Sequence, residues 1–468
     1  MQFKLIFVFS LLIFIPNSFS NPVIGQKTLV YAWNYVNYTF QTQEETDEYF
    51  NNKYYENVFV AGVKVDSFGR YFVTTPRWKE GIPATLGIVI TDAEDNLYIQ
   101  PYPSWEMNKL GDPNALQSVL GFEIDNQDRI WILDQGKCNG SAAINGSIKL
   151  LIYDLKTDNL IQKYVFSESE ASLSNSFLND IVVDVVDGFG YISDSGLPLV
   201  EGDELDGGIL VYDFNKNTAK RVLNHQTCTQ NSSLWISING EHVYHDQPME
   251  TGADGIALSP DRTVLVFCPL TSRTNYRINT EYLKNWKLND NELVQHVVSM
   301  PKLSASDGLA FGNNSVLFVT GLETSSIYSY DNPIQNPSKF EILTSDTQSM
   351  LWPDTIGFDH QGNIVVVSNQ LHKFLMNELV FNLTNPMDFI NFRIWKIYAD
   401  CDSYLFYSSP QPSSTSSSSS SNTVRNVFIA LTAVFAVGFI FLLINQFRLH
   451  RKYKPRRMFS PETNSLLN

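Results

Sequence analysis

A chain of 468 residues with 43% hydrophobic and 13% aromatic side chains is too apolar to be disordered. Its 49 acidic and 33 basic residues leave a net charge of −16, which argues against binding to a phosphate backbone. The 25 Gly and 20 Pro exclude a collagen-like chain, and four Cys are too few to define a disulfide scaffold.

The first 20 residues read as a secretory signal peptide: Lys4, an apolar run from Leu5 to Ile15, then Ser18-Phe19-Ser20 with cleavage before Asn21. Residues 21–405 form the folded part. Residues 406–426 hold Pro410, Pro412 and the run Ser416 to Ser421, a stalk open to O-glycosylation. Val427 to Ile444 is an uncharged apolar run, and with Asn445, Gln446 and Phe447 it predicts one transmembrane helix over 427–447. Arg448, Arg451, Lys452, Lys454, Arg456 and Arg457 follow, so residues 448–468 are read as cytosolic and the chain as a single-pass type I protein. Setting aside the net +5 from Asn445 onward and Lys4 leaves −22 on residues 21–444, a strongly acidic outer part that favours cationic ligands. The tail carries Glu462, Leu466 and Leu467 in the pattern of an acidic dileucine signal, which would send the protein from the cell surface to endosomes or lysosomes.

Six N-x-[ST] sequons, at Asn37, Asn139, Asn145, Asn231, Asn313 and Asn382, all fall on the outer side, as glycosylation requires. Cys138, Cys228, Cys268 and Cys401 do too, and in an oxidising compartment they predict up to two disulfides of open connectivity. No C-x-x-C spacing suggests a zinc or redox site.

An internal repeat fixes the expected fold. An apolar-x-apolar strand, a polar turn and a second short strand recur from Gly62, Gly121, Asp180, Gly255, Gly308 and Thr355, at spacings of 59, 59, 75, 53 and 47 residues. Alternation interrupted by turns such as Asp-x-x-Gly is a hairpin signal. Six hairpins at such intervals predict an all-β, six-bladed β-propeller, in preference to a pair of sandwiches.

In a propeller the start of each inner strand and the end of the next meet on one face. Asn179, Asp254, Asp307 and Asp354 stand at the first position; Asp134, Asp194, Thr320 and Asn369 stand near the second. The expectation is an acidic ring at one channel mouth, with Asn179, Asp194, Asp254, Asp307, Asp354 and Asn369 as candidate ligand-binding residues. Three readings fit such residues. They cap turns; they bind Ca²⁺ or a protonated amine; or one carboxylate, made basic by its neighbours, does acid–base chemistry. His242 and His245 form an H-x-x-H pair read as surface loop. Trp131, Phe267, Phe311 and Phe358 read as blade packing, with one or two available to stack on an aromatic ligand.

These motifs resemble the major royal jelly protein/yellow family. The similarity is carried by Ser118 to Asp125 with Arg129 to Gly136, Asn179 to Asp184 with Tyr191 to Gly196, Gly208 to Asp213, Asp254 to Asp261 with Phe267 to Leu270, and Trp352 to Asp359 with Ser368 to Phe374, in the family's order. The resemblance implies a six-bladed propeller. It also implies functions that vary by member: nutritional or structural secreted proteins, binders of biogenic amines, and dopachrome-converting enzymes of melanin chemistry. Asn126 departs from the family, many of whose members have Cys there, and the stalk, helix and tail are untypical.

The reading is a membrane-tethered propeller that binds a small cationic or aromatic ligand at its mouth, with no nucleic-acid partner. Two alternatives stand beside it. One is an enzyme, either a dopachrome-type isomerase or a lactonase using Ca²⁺ at Asn179 and Asp254. The other is a structural ectodomain.

Overall fold

A computed structural model describes residues 22–199, 206–224 and 228–407. The signal peptide, the stalk beyond Tyr407, the apolar run 427–447 and the basic tail lie outside the described residues. Among the described residues no helix is long and apolar enough to cross a membrane.

The six repeats are six four-stranded antiparallel sheets, the blades of a propeller. Their inner strands are Val63–Val65, Val119–Ile124, Leu178–Asp184, Ala253–Leu258, Leu309–Phe311 and Trp352–Phe358. Each pairs with the second strand of the hairpin expected from sequence. Inner elements are covered on both faces by neighbouring blades, so they read as continuous apolar runs: every residue of Gly208–Asp213 is buried. Outer elements face water, and Asn159–Val165 is exposed or half-buried throughout.

The hairpin turns explain the recurring Asp. Asp66 accepts the backbone N–H groups of Phe68 (3.0 Å) and Arg70 (2.8 Å), and the Arg70 guanidinium binds its other oxygen at 2.6 Å. Asp125 repeats this with Gln127, Arg129 and the Arg129 side chain, and Asp359 with Gln361 and Asn363. At these positions the turn-capping reading holds.

The ring closes through its N-terminus. Lys27–Trp33, ahead of the first repeat, is the outermost strand of the sixth blade and pairs antiparallel with Phe392–Tyr398, Lys27 opposite Ile397 and Trp33 opposite Phe392. At the other end, residues 401–407 cross one mouth of the channel. Tyr404 is bound through its hydroxyl to the backbone N–H (2.9 Å) and carbonyl (3.2 Å) of Val183 in the third blade. The Asn126 amide donates to the Leu405 carbonyl at 2.7 Å. Phe406 meets the His360 ring edge-on at 4.8 Å, so the folded unit runs past the expected boundary at 405.

The disulfide expectation is corrected: among the described residues Cys138, Cys268 and Cys401 form none. The sulfur of Cys138 lies against the carbonyls of Gln117 and Gly136. That of Cys268 faces the Ser306 hydroxyl at 3.4 Å, and Cys401 sits beside Gly312. These three thiols are built into different blades. Of the sequons, Asn139, Asn145 and Asn231 are exposed; Asn37, Asn313 and Asn382 are half-buried.

Candidate functional site: an acidic channel mouth

The open mouth is shaped by two features of the inner strands. First, the third, fourth and sixth blades each carry a register shift at the strand start: between Leu178 and Ile181, Ala253 and Ile256, and Pro353 and Ile356. A bulge re-aims the side chain it contains. Here it holds Asn179 and Asp180, Asp254, and Asp354, all of which line the mouth. Second, the strands touch backbone to backbone. A Cβ added to Gly255 would lie 2.1 Å from the Asp307 carbonyl oxygen, and one on Gly308 would lie 2.4 Å from that of Asp354. The Gly308 N–H donates to the Asp354 carbonyl at 3.0 Å across this contact. Only glycine permits that approach, and it draws the neighbouring aspartates together.

The result is a cavity of about 290 Å³ with an acidic floor of Asp180, Asp254, Asp307 and Asp354. Its walls are largely apolar, with Trp78, Phe177, Tyr244, Met249 and Leu371 among them. Residues two to four steps further along the same strands, such as Val182, Ala257 and Phe358, line the closed end instead. There Lys64 approaches Glu123 at 3.5 Å.

The floor carboxylates are held by neutral donors. The Asn179 amide donates to Asp254 (2.8 Å), the Trp352 indole N–H to Asp307 (2.8 Å), and the Asn369 amide to Asp354 (2.8 Å). Burial, then repulsion from Asp307, pushes Asp254 and Asp354 well above the usual carboxylate range. Burial raises Asp307 to about 6, opposed by the indole N–H. Asp180 is also raised by burial, with Lys64 opposing. The buried Lys302, which feels the charge of Asp254, donates its ammonium to the carbonyls of Pro269 (2.8 Å) and Leu270 (3.3 Å).

Five of the six expected residues meet here: Asn179, Asp254, Asp307 and Asp354 in the wall, and Asn369 behind Asp354. Asp194 does not line the cavity. It binds Arg221 at 2.6 Å and accepts the N–H groups of Phe177 and Gly196, a clamp below the rim. Asp134 does the same with Lys149 (2.6 Å) and the N–H groups of Gln117, Ser118 and Gly136. Sequence reasoning missed Asp180 as a wall residue, although it shares the bulge with Asn179. It also missed the aromatic wall: Trp78, Phe177 and Tyr244 lie in connections outside the repeat. Trp131, Phe267, Phe311 and Phe358 do not line the mouth. His242 and His245 are exposed, as expected.

A calcium ion asks for roughly six to eight oxygen ligands. Among the described residues no three His, Cys, Asp or Glu side chains are grouped to hold a metal. Asn179 turns its amide nitrogen toward Asp254. A shallower groove of about 520 Å³ lies outside the channel, between Phe40, Trp105, Glu45 and Glu48.

A dopaminechrome tautomerase of Drosophila melanogaster is 27% identical over 432 residues, covering 87% of this chain and 88% of that protein. Protein yellow of Drosophila subobscura is 26% identical over 460 residues, 93% of this chain and 76% of that one. Among solved structures, a luciferin-regenerating enzyme is similar with a TM-score of 0.42 and 11% identity, over 74% of this chain and 94% of that one. Residues 117–400 match the major royal jelly protein family, and the chain belongs to that family.

Proposed function

We propose that the acidic mouth binds a small aromatic cation, with the carboxylates facing its amine and Trp78, Phe177 and Tyr244 facing its ring. The observation that carries this reading is the cavity itself: four carboxyl groups on its floor, no cation paired to Asp254, Asp307 or Asp354 among the described residues, and an apolar wall above. A protonated amine supplies the missing charge, and the aromatic wall supplies ring contact and cation–π attraction. Its volume is at the small end of the ~300–1,000 Å³ range of ligand sites, suited to a one- or two-ring molecule. Calorimetric titration with dopamine, serotonin and Ca²⁺ tests it. Heat with an amine and none with Ca²⁺ is expected. Heat with Ca²⁺ alone would favour the metal-dependent reading, and silence with all three would leave a structural ectodomain.

A second reading, an isomerase acting on a dopachrome-like compound, is favoured by the tautomerase relative and by the place of Asp254 and Asp307 in one cavity. In either case we place the propeller outside a membrane, delivered by the signal peptide and held by the apolar run 427–447, with sequon glycans on its surface. Protease protection of the tail epitope in sealed vesicles checks that topology.

A further inference from the structure

The connection that leads from Leu375 to the strand Phe392–Tyr398 is pinned to the buried Asn34. The Asn34 amide donates to the carbonyls of Val380 (2.7 Å) and Phe389 (2.5 Å), and its side-chain oxygen accepts the Asn382 N–H at 2.7 Å. The Asn391 amide adds a bond to the Val380 carbonyl at 3.0 Å. Leu379 and Phe381 turn inward onto the core, Phe381 against Tyr55 at 5.9 Å. Their neighbours turn outward: Val380, Leu383, Met387 and Phe389 are exposed, Met387 at 70%. Single exposed apolar side chains are ordinary, whereas a group of them marks a contact.

Asn382 stands inside this group and opens the sequon Asn382-Leu383-Thr384. Its Oδ1 accepts the backbone N–H groups of Thr384 and Asn385, both at 3.0 Å. That fixes the carboxamide and leaves Nδ2 without a hydrogen bond among the described residues. Each of the other five sequons has at most one exposed large apolar side chain within eight residues, and Asn382 has four. Glu378 and Asp388 border the group, which disfavours an anionic lipid surface as its cover.

We propose that an N-glycan on Asn382 covers this patch, its first sugars laying their C–H faces on Leu383, Met387 and Phe389 and turning their hydroxyls to water. This rests on the reading that the signal peptide delivers the propeller to the secretory pathway. There Nδ2 of Asn382 bonds to the anomeric carbon of a lipid-diphosphate-linked oligosaccharide. The bond from that carbon to the diphosphate oxygen breaks, the lipid diphosphate leaves, and the amide gives up one proton.

The test uses the full chain from a eukaryotic secretory host. Glycopeptide mass spectrometry should find Asn382 occupied in most wild-type chains. T384A destroys the sequon but keeps the Asn382 side chain and both backbone N–H groups that it binds. Under dilute peroxide its Met387 should form the sulfoxide several-fold faster than in wild type, with Met249 in the channel wall as the unchanged reference. Enzymatic removal of glycans from the folded wild type should speed Met387 in the same way, with no substitution made. N139Q, which removes a sequon outside the patch, should leave Met387 as in wild type. Glycans on Asn139 or Asn231 with Asn382 bare would overturn the proposal and leave delivery standing. A chain without any glycan would take both down. Met387 oxidation in T384A at the wild-type rate would also overturn it, whether a second copy or lipid then covers the patch.

Discussion

Two sets of aspartates stand at the ends of the blade hairpins, in different blades, and do opposite things. Asp134 and Asp194, at the ends of second strands, are buried against Lys149 and Arg221 at 2.6 Å, with their remaining acceptor capacity taken by backbone N–H groups. Asp254, Asp307 and Asp354, at the starts of inner strands, are buried too but face one another, and the donors bonded to them are amides, an indole and a hydroxyl. Burial alone therefore says little about role. A buried carboxylate with its own cation fixes a loop; one without it is costly unless protonated or matched by a ligand charge. The first set holds the rim that carries Phe177, and the second makes the floor below it.

The largest test of that contrast is removal of one partner from a clamp. K149M leaves Asp134 ionised, buried and unpaired, and should cost about 3–5 kcal/mol in denaturant unfolding. The mouth acids should behave in the opposite sense. Their folded-state pKa values are raised, so the native state binds more protons than the unfolded state above about pH 4, and stability is lost as pH rises. Each retained proton contributes about 1.4 kcal/mol per pH unit until the folded-state group itself ionises. D254N removes one such group, and its stability relative to wild type should grow between pH 5 and about 7. A constant difference over that range would contradict a floor whose buried carboxyls are held above their usual range.

Smaller effects sharpen the geometry. G255A should cost about 1–3 kcal/mol, since its Cβ meets the Asp307 carbonyl and must part the two strands. Y404F should cost about 1–2 kcal/mol, by leaving the Val183 N–H without its bond at the closed end.

The repeat made the propeller legible because blade geometry imposes alternation and turn chemistry on each hairpin. The same logic located Asn179, Asp254, Asp307, Asp354 and Asn369. Asp194 was misplaced because a second-strand end is equally near the rim in every blade; only Arg221, on the outermost strand of its own blade, distinguishes clamp from floor. The aromatic wall was invisible for a different reason. Trp78, Phe177 and Tyr244 lie in connections, where no period marks a residue as facing the cavity. Closure by Lys27–Trp33 was missed because its partner is some 360 residues away and one strand carries no repeat. The expected disulfides failed since compartment and parity say nothing of where the sulfurs sit.

The most direct test of the central claim, that the acidic mouth is the ligand site, is a crystal structure of the protein with dopamine. The account predicts its amine within hydrogen-bonding distance of one or more of Asp180, Asp254, Asp307 and Asp354, with the catechol ring against Trp78, Phe177 or Tyr244. Dopamine seated in the outer groove between Phe40 and Trp105, with the mouth holding only solvent, would contradict it.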